Sequence, residues 1–254
     1  NTLNVIGQTV EILESKPLVK GIITTKEINN DYEIKELPEM NEVFVDTGLT
    51  PTELRKRGVD VGSYLSLERM DHNIGAEEFI AGKALDDRIG CFALIEIAKR
   101  LQKSEHELFY VFTVQEEVGL YGAKTSTYQI DPDLAVAVDV SNANDMNDEP
   151  TKIVGEGPVL TMKDDEMIGN TCLNDYFRSI AKKMKIPVQL EVSDFGTTDA
   201  LTISLSKGGV LATSIGVCLR NIHTTHSIAS KKDIEQCIDL LEAFARKPPL
   251  HCVK

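Results

Sequence analysis

The stretch LDDRIGCFALIEIAKRLQKSEHELFYVFTVQEE, residues 85–117, contains the pattern that decides the fold. Its first half repeats apolar and small residues at intervals of three and four, the spacing of a buried helical face: Gly90, Ala93, Leu94, Ile97, Ala98 and Leu101. Its second half contains the continuous apolar run Leu108 to Val114, which is typical of a strand buried on both faces. A long helix followed by such a strand predicts an α/β layer architecture.

The same alternation of helix and strand patterns continues towards the C-terminus. The run Leu134 to Val138 predicts a second buried strand. Helical periodicity extends from Leu173 to Met184 and stops before Pro187, and a last helical pattern extends from Ile234 to Ala245 and stops before Pro248. We therefore expect residues 81–254 to form one α/β domain.

Residues 1–80 have a different pattern of apolar residues, which predicts a separate small β domain. They contain short strand-like runs without convincing helical periodicity: Val5 to Ile12, Val19 to Thr24, Val43 to Val45 and Tyr64 to Leu67. One short helix is expected after Thr50, because Thr50 can serve as the N-cap residue, Pro51 suits the first helical position and Glu53 is acidic in the first turn. The predicted boundary lies near Ile80 to Lys83.

Composition and charge limit the possible partners and location. The chain of 254 residues has 27 Lys and Arg against 40 Asp and Glu, a formal net charge of -13, which argues against a nucleic-acid partner. No apolar run approaches the roughly 18 residues that cross a bilayer, so no membrane partner is expected. The five cysteines lack the short paired spacings of a disulfide framework or a structural zinc site, which favours a reducing, cytoplasmic location: Cys91, Cys172, Cys218, Cys237 and Cys252.

Acidic residues recur at the ends of the predicted elements, where open α/β sheets place ligand sites. Asp86 and Asp87 begin the first long helix, although, taken alone, such a pair is more often an N-cap residue and an acid favoured by the helix dipole. Glu116 and Glu117 directly follow the apolar run that ends at Val114, although adjacent glutamates are usually part of a solvated loop.

Two further positions complete the set of candidate residues. Asp139 closes the apolar run Leu134 to Val138, where a carboxylate needs a cation or hydrogen-bond donors to offset its desolvation. His223 and His226 follow the apolar stretch Gly209 to Val217, although a lone histidine is more often a polar residue with no ligand role. Together, carboxylates and an imidazole at one edge of a sheet suit zinc, cobalt or manganese, and a neighbouring glutamate can move a proton.

Five segments of the chain resemble, in order and spacing, the tetrahedral aminopeptidase family of dinuclear metallopeptidases, which includes glutamyl and deblocking aminopeptidases. They are GKALDDRIGC (82–91), VQEEVGLYGA (114–123), AVDV (137–140), GTTDA (196–200) and IGVCLRNIHT (215–224). The resemblance implies that Asp86 bridges two metal ions and that Glu116 is the general base. It also implies that Glu117 and His223 complete the ligands of one ion and that Asp139 serves the other.

The resemblance further implies the architecture, the reaction and the assembly. The expected fold is a three-layer α/β catalytic domain with a central mixed sheet, together with a smaller β-barrel-like domain. The expected cofactors are two divalent metal ions, zinc or cobalt, which activate the water that attacks short peptides with a free N-terminus. The expected assembly is a homo-oligomer, a dodecamer in the family.

One departure from the family pattern affects the metal site. Family members open with a segment that carries a His-x-Asp motif, whose histidine is a ligand of the second ion, and no such segment occurs in this chain. The expectation is therefore an incomplete, weakly active aminopeptidase that holds one ion well. The alternative is a shortened, non-catalytic homologue that binds peptides or serves assembly, and a hydrolase of an acylamino or glycosidic bond is a weaker third hypothesis.

Overall fold

The structure is a computed structural model that describes residues 2–25, 37–68 and 74–253. The chain divides into two compact units, Asn1–His72 and Asn73–Lys254. The boundary that the sequence predicts near residue 80 stays a prediction. No helix in the described ranges is long and apolar enough to span a bilayer.

The first unit contains one open antiparallel sheet. Its elements are β1 (Thr9–Ile12), β2 (Val19–Thr25), β3 (Val43–Asp46), α1 (Pro51–Lys56) and β4 (Leu65–Leu67), and the strand order is β3-β2-β1-β4. Strand β2 alternates buried and more exposed residues, as expected for a sheet with one face on a core. Within the described residues the edge strands β3 and β4 do not pair, so the β-barrel-like form expected for this unit is not confirmed.

Helix α1 begins where the sequence predicts. The Thr50 side chain accepts a hydrogen bond from the backbone N–H of Glu53, and the Glu53 carboxylate accepts one from the backbone N–H of Thr50. This reciprocal pair, with Pro51 at the first helical position, satisfies backbone donors that the helix itself leaves unpaired.

The second unit is an α/β structure around a mixed sheet of four strands. Its elements are β5 (Phe79–Gly82), α2 (Leu85–Arg100), α3 (Tyr121–Ile130), β6 (Leu134–Asn142), β7 (Val159–Lys163), α4 (Thr171–Met184), β8 (Gln189–Val192), α5 (Ala200–Ser204), β9 (Leu211–Leu219), β10 (Ser227–Ser230) and α6 (Lys231–Arg246). The strand order is β6-β9-β7-β8, in which β6 pairs with β9 and β7 with β8 in parallel, whereas β7 and β9 are antiparallel. Strands β5 and β10 form a separate antiparallel pair.

Helices cover both faces of the mixed sheet, which confirms the α/β class and the central mixed sheet. Helices α2, α4 and α6 form the main core with alternate residues of β9, among them Ile215, Val217 and Leu219, all fully buried. The opposite face of β9, at Ala212, packs on Ala200 of α5. Because side chains alternate along a strand, β9 supplies apolar contacts to both helical layers.

The sequence-based strand prediction for Leu108 to Val114 is wrong within the described residues. This segment is extended but pairs with no strand, and the sheet ends at β6 on the side where a further strand would lie. A cavity of about 830 Å³ is lined by this segment, by residues 134–139 of β6, and by residues of α2, α3 and α6. Phe109 and Phe112 remain about half exposed. An apolar run predicts a strand, but a strand also needs a neighbour for its backbone hydrogen bonds.

The close approach of β9 to β6 depends on a glycine. A Cβ atom added to Gly216 would lie 1.6 Å from the carbonyl oxygen of Asp139, its partner across the parallel pair.

We expect Gly216→Ala to lower the free energy of unfolding by about 3 kcal/mol, because one strand must move away from the other. Urea unfolding measures this change. Gly208→Ala is the matched control, because no atom lies within 4 Å of its added Cβ, and an equal loss in both variants would contradict the interpretation.

One pair of cysteines corrects the expectation drawn from cysteine spacing. Cys172 in α4 and Cys252 form a disulfide with a Cα–Cα distance of 5.9 Å, and 80 residues separate them in the sequence. Cys91, Cys218 and Cys237 are free. Spacing rules consider cysteines that are close in sequence, so a pairing that the tertiary fold creates escapes them.

Reduction of this disulfide should lower the stability of the protein. Closing a loop of 80 residues removes unfolded-state entropy worth up to about 4 kcal/mol. We expect thermal unfolding at a lower temperature in dithiothreitol than without it, measured by circular dichroism. The variant Cys172→Ser should unfold at the same temperature under both conditions, and a response of that variant to reductant would show that another disulfide is responsible.

Candidate metal centre

A helix start, a strand and two turns position the predicted site residues. Asp86 lies at the start of α2, Glu116 and Glu117 lie in the turn before α3, and Asp139 lies within β6. His223 lies in the turn between β9 and β10. The pairing of β5 with β10 aligns Gly82 with Ser227, which explains why the loop before α2 lies beside the turn that carries His223.

Asp86, Glu117 and His223 converge into one cluster. Each offers one ligand atom, and these atoms all lie within 4.8 Å of one another. The Nε2 atom of His223 is 3.3 Å from Oδ2 of Asp86 and 3.7 Å from Oε2 of Glu117. The Asp86 side chain is mostly buried, at 16% exposure, whereas those of Glu117 and His223 are open to solvent at 62% and 65%. The cluster therefore combines one mostly buried side chain, Asp86, with two that are accessible to solvent.

His226, the second histidine of this region, lies outside the cluster. Its Nδ1 atom is 3.2 Å from the hydroxyl of Thr225, and its ring is partly buried. Of the two histidines, the structure therefore brings His223 to the carboxylates.

Further carboxyl groups lie behind the cluster and interact with it through their charge. Burial, followed by the charge of Asp87, raises the pKa of Asp139 well above its ordinary value. Burial also raises the pKa of Asp87 to about 8. Asp139 accepts a hydrogen bond from the backbone N–H of Val140 at 2.7 Å, and Asp87 accepts one from Gly90 at 2.9 Å. Asp87 therefore makes the hydrogen bond typical of an N-cap residue, at non-helical backbone angles within the first turn of α2. Asp139 lies in the electrostatic range of Asp86 without joining its cluster.

Glu116 interacts through its charge with the cluster and also with the buried carboxyl groups. Burial, followed by the negative charges of Asp199, Glu117 and Asp86, raises the pKa of Glu116 to about 7. Burial, followed by the charge of Glu117, also raises the pKa of Asp86. Each of these carboxyl groups is therefore costly to ionise beside its neighbours.

The residues present fit a divalent cation. A bound cation would offset both the desolvation and the mutual repulsion that raise these pKa values. Carboxylate oxygens with one imidazole are a ligand set that Zn²⁺, Co²⁺ and Mn²⁺ accept. Asp86, Glu117 and His223 can hold one ion, and Asp139 is the carboxylate that the resemblance implies for a second.

Backbone conformation at the site is unusual for residues other than glycine. Ala84, Gln115 and His223 have φ angles of 51°, 60° and 55°, in the left-handed region. Such conformations cost of order 1 kcal/mol each and persist where surrounding structure imposes them, often at functional sites. All three residues precede or carry a predicted ligand or the predicted base.

Asp199 is a site residue to which the sequence interpretation assigned no role. Its Oδ2 atom accepts a hydrogen bond of 2.7 Å from the hydroxyl of Thr113, and its Oδ1 atom is buried with no hydrogen-bond partner among the described residues. Asp199 contributes the largest charge effect on the pKa of Glu116. The available signal was its position in the segment GTTDA at the start of α5, a lone acid after a run of small polar residues.

Arg88 does not contact the cluster. Its guanidinium donates hydrogen bonds to the backbone carbonyls of Lys83 and Ala84. It therefore holds the backbone at Lys83 and at the left-handed Ala84, two residues before the ligand candidate Asp86.

Comparisons with known proteins show which family the chain is similar to. Residues 2–240 match the family described as M42 glutamyl aminopeptidase. The chain is 30% identical to the lysyl aminopeptidase of Pyrococcus furiosus over 83% of its length and 69% of the relative's. It is 30% identical to the glutamyl aminopeptidase of Lactococcus lactis subsp. cremoris, over 96% of this chain and 70% of that protein.

A solved structure shows the same fold. The aminopeptidase APDkam598 from the archaeon Desulfurococcus kamchatkensis matches with a TM-score of 0.92 and 33% identity, over 100% of this chain and 72% of that one. The match confirms the resemblance carried by the five sequence segments. From the family match over residues 2–240 and these relatives, the chain belongs to the M42 glutamyl aminopeptidase family of hydrolases.

Proposed function

We propose that this protein is a metal-dependent aminopeptidase that releases N-terminal residues from short peptides. Asp86, Glu117 and His223 would hold one divalent ion, zinc or cobalt, and Asp139 would serve a second together with Asp86. Glu116 is the general base. The observation that carries the proposal is the convergence of three ligand atoms within 4.8 Å beside a glutamate whose pKa is raised to about 7.

The proposed division of roles follows from the position and burial of each carboxyl group. When bound, the divalent ions polarise the scissile carbonyl and make water more acidic. Glu116 accepts the proton of the attacking water and then donates it to the departing amine. Burial is the largest cause of the raised pKa of Glu116 and does not depend on the proposed ligands, so this carboxylate is a stronger base than an exposed glutamate.

The acidic surroundings of Glu116 also support a preference for a free N-terminus. The α-amino group of a peptide has a pKa of about 8 and is partly cationic at neutral pH. Several carboxyl groups that raise one another's pKa favour a cationic group in the same space. Acetylation removes this positive charge, so a blocked peptide should bind poorly.

Matched substrates and metal analysis test the proposal together. Purified protein should hydrolyse aminoacyl p-nitroanilides in the presence of Zn²⁺ or Co²⁺ and should leave N-acetylated counterparts intact. Elemental analysis of the dialysed protein with its Cys172–Cys252 disulfide intact should find close to one tightly held ion per 254-residue chain, because three of the proposed ligands surround one position. Equal hydrolysis of free and acetylated substrates would contradict an aminopeptidase, and two tightly held ions would contradict the proposed ligand set.

We also propose that the protein works in the cytoplasm as a homo-oligomer, a dodecamer by analogy. The Pyrococcus horikoshii TET1 peptidase, 27% identical with a TM-score of 0.82, can assemble into a tetrahedron or a large octahedral shell. Phe195 and Val192, beside the edge strand β8, are 88% and 73% exposed, which supports an interface there. Three of the five cysteines are free, which suits a reducing compartment, and there the Cys172–Cys252 disulfide would be reduced. Light scattering coupled to size exclusion measures the assembly.

A further inference from the structure

We propose that Cys172, His251 and Cys252 form a second metal site, which binds a soft divalent ion such as Zn²⁺ when the disulfide is reduced. Their ligand atoms lie within 4.8 Å of one another. They lie away from the carboxylate cluster in the fold, at the start of α4 and in the 3-10 helix Leu250–Val253. The proposal is independent of the aminopeptidase chemistry.

The distances already match those of a tetrahedral zinc site. The Nε2 atom of His251 is 3.8 Å from the Sγ atom of Cys252. Zinc bonds of about 2.3 Å to sulfur and 2.0–2.1 Å to nitrogen, at tetrahedral angles, separate the two atoms by about 3.5 Å. The histidine and one sulfur therefore need almost no movement to share an ion.

The two sulfur atoms need only a small change once their bond is reduced. Two thiolates on one tetrahedral zinc are about 3.8 Å apart. The Cα atoms of Cys172 and Cys252 are 5.9 Å apart, so rotation of the side chains can separate the sulfur atoms without moving α4 from the 3-10 helix.

The surroundings keep the site accessible and orient the imidazole. A shallow cavity of about 580 Å³ is lined by Cys172, Asp175, Tyr176 and His251. The His251 ring packs edge-on against the Tyr176 ring with centroids 6.4 Å apart. Three protein ligands leave the fourth zinc position open to water from the cavity. Thiolate ligands favour soft ions, which separates this site from the oxygen-rich cluster around Asp86.

A dithiol reductant supplies what is needed to convert the disulfide state into the metal-binding dithiol state. The reductant transfers two electrons and two protons to the Cys172–Cys252 bond, which yields two thiols and the oxidised, disulfide form of the reductant. Zn²⁺ then replaces the two thiol protons, which are released to solvent, and takes the neutral nitrogen of His251 as its third ligand.

Both states connect the same two parts of the chain. The disulfide joins the C-terminal 3-10 helix to α4, and the metal would join them through the same side chains. The hydroxyl of Tyr176 in α4 donates a hydrogen bond to the carbonyl of Lys247, which keeps the two parts close in either state. The site would therefore preserve this connection where thiols stay reduced.

Cobalt(II) is the probe that tests the site, because thiolate ligands give Co²⁺ an intense near-ultraviolet charge-transfer band and carboxylates do not. Protein is reduced, freed of reductant without oxygen and titrated with Co²⁺. We expect the band in the reduced protein and not in the oxidised protein. The variants Cys172→Ser and Cys252→Ser should each lose about half of its intensity, and His251→Ala should weaken cobalt affinity tenfold or more.

Controls separate this site from the carboxylate cluster and from the other thiols. His223→Ala and Cys91→Ser should keep the band, because neither residue belongs to the proposed site. Zn²⁺ should raise the unfolding temperature of the reduced protein more than that of the double variant Cys172→Ser/Cys252→Ser, in which only the carboxylate cluster can hold the ion. Absence of the band in the reduced protein, or an equal band in the double variant, would overturn the proposal.

Discussion

Replacement of Glu116 by glutamine is expected to lower kcat for aminoacyl substrates by about 10²–10⁴-fold, the usual contribution of a general base. The amide has the size of the carboxyl group but cannot accept the proton. Metal content and unfolding temperature should stay at or above those of the parent protein, since Glu116 lies among carboxyl groups that repel it. Steady-state kinetics with aminoacyl p-nitroanilides measure the change in kcat. They apply to any form of the protein that hydrolyses these substrates.

Two further variants make the result specific to this position. Glu149→Gln, in an exposed loop, should leave kcat unchanged because its side chain is in solvent. Glu116→Asp, which keeps the base but withdraws it by one methylene, should retain more activity than Glu116→Gln. If Glu116→Gln keeps at least half of the parent kcat, another group is the base, and Asp199 is the next carboxyl group to test.

Replacement of His223 by alanine is expected to weaken the tightly held ion by at least about 100-fold, which is about 2.7 kcal/mol of binding free energy. It removes the imidazole from a set of three ligands and leaves two carboxylates that repel each other. Isothermal titration of the metal-free protein with Zn²⁺ measures the affinity. The rise in unfolding temperature on adding Zn²⁺ should shrink in parallel, because an ion stabilises the native state in proportion to its binding.

The neighbouring histidine gives the matched comparison. His226→Ala should keep the Zn²⁺ affinity of the parent protein, because His226 lies outside the cluster and contacts Thr225. Any loss of stability from its partly buried ring would appear equally with and without the ion. If His226→Ala loses the ion and His223→Ala retains it, the assignment of the ligand histidine is wrong.

Local patterns were sufficient for most helices and for their ends. The helices predicted around Leu94, Phe177 and Ile238 all occur, because an apolar repeat of 3.6 residues survives in any fold that buries one helical face. The start of α1 at Pro51 also follows from a cap that uses residues at most three apart. Sequence segments around Asp86, Glu117 and His223 likewise indicated a shared site before any distance was known.

Features that depend on residues distant in the sequence were not predicted from local patterns. Whether Leu108 to Val114 pairs as a strand depends on which chain lies beside it, and an apolar run contains no information about that neighbour. The sequence also did not indicate strands β7 and β8, whose pairing arises across α4. Sheet order is a property of the whole second unit.

The sequence by itself determined the helical periodicity, the α/β class and the segments that identify the family, because these reside in short stretches of chain. Only the tertiary structure decided that Cys172 reaches Cys252, that Asp199 acts on Glu116, and that buried carboxyl groups shift one another's pKa. Disulfide formation and electrostatic coupling depend on distance in space and on burial. The spacing of residues along the chain determines neither the distance between two side chains nor their burial.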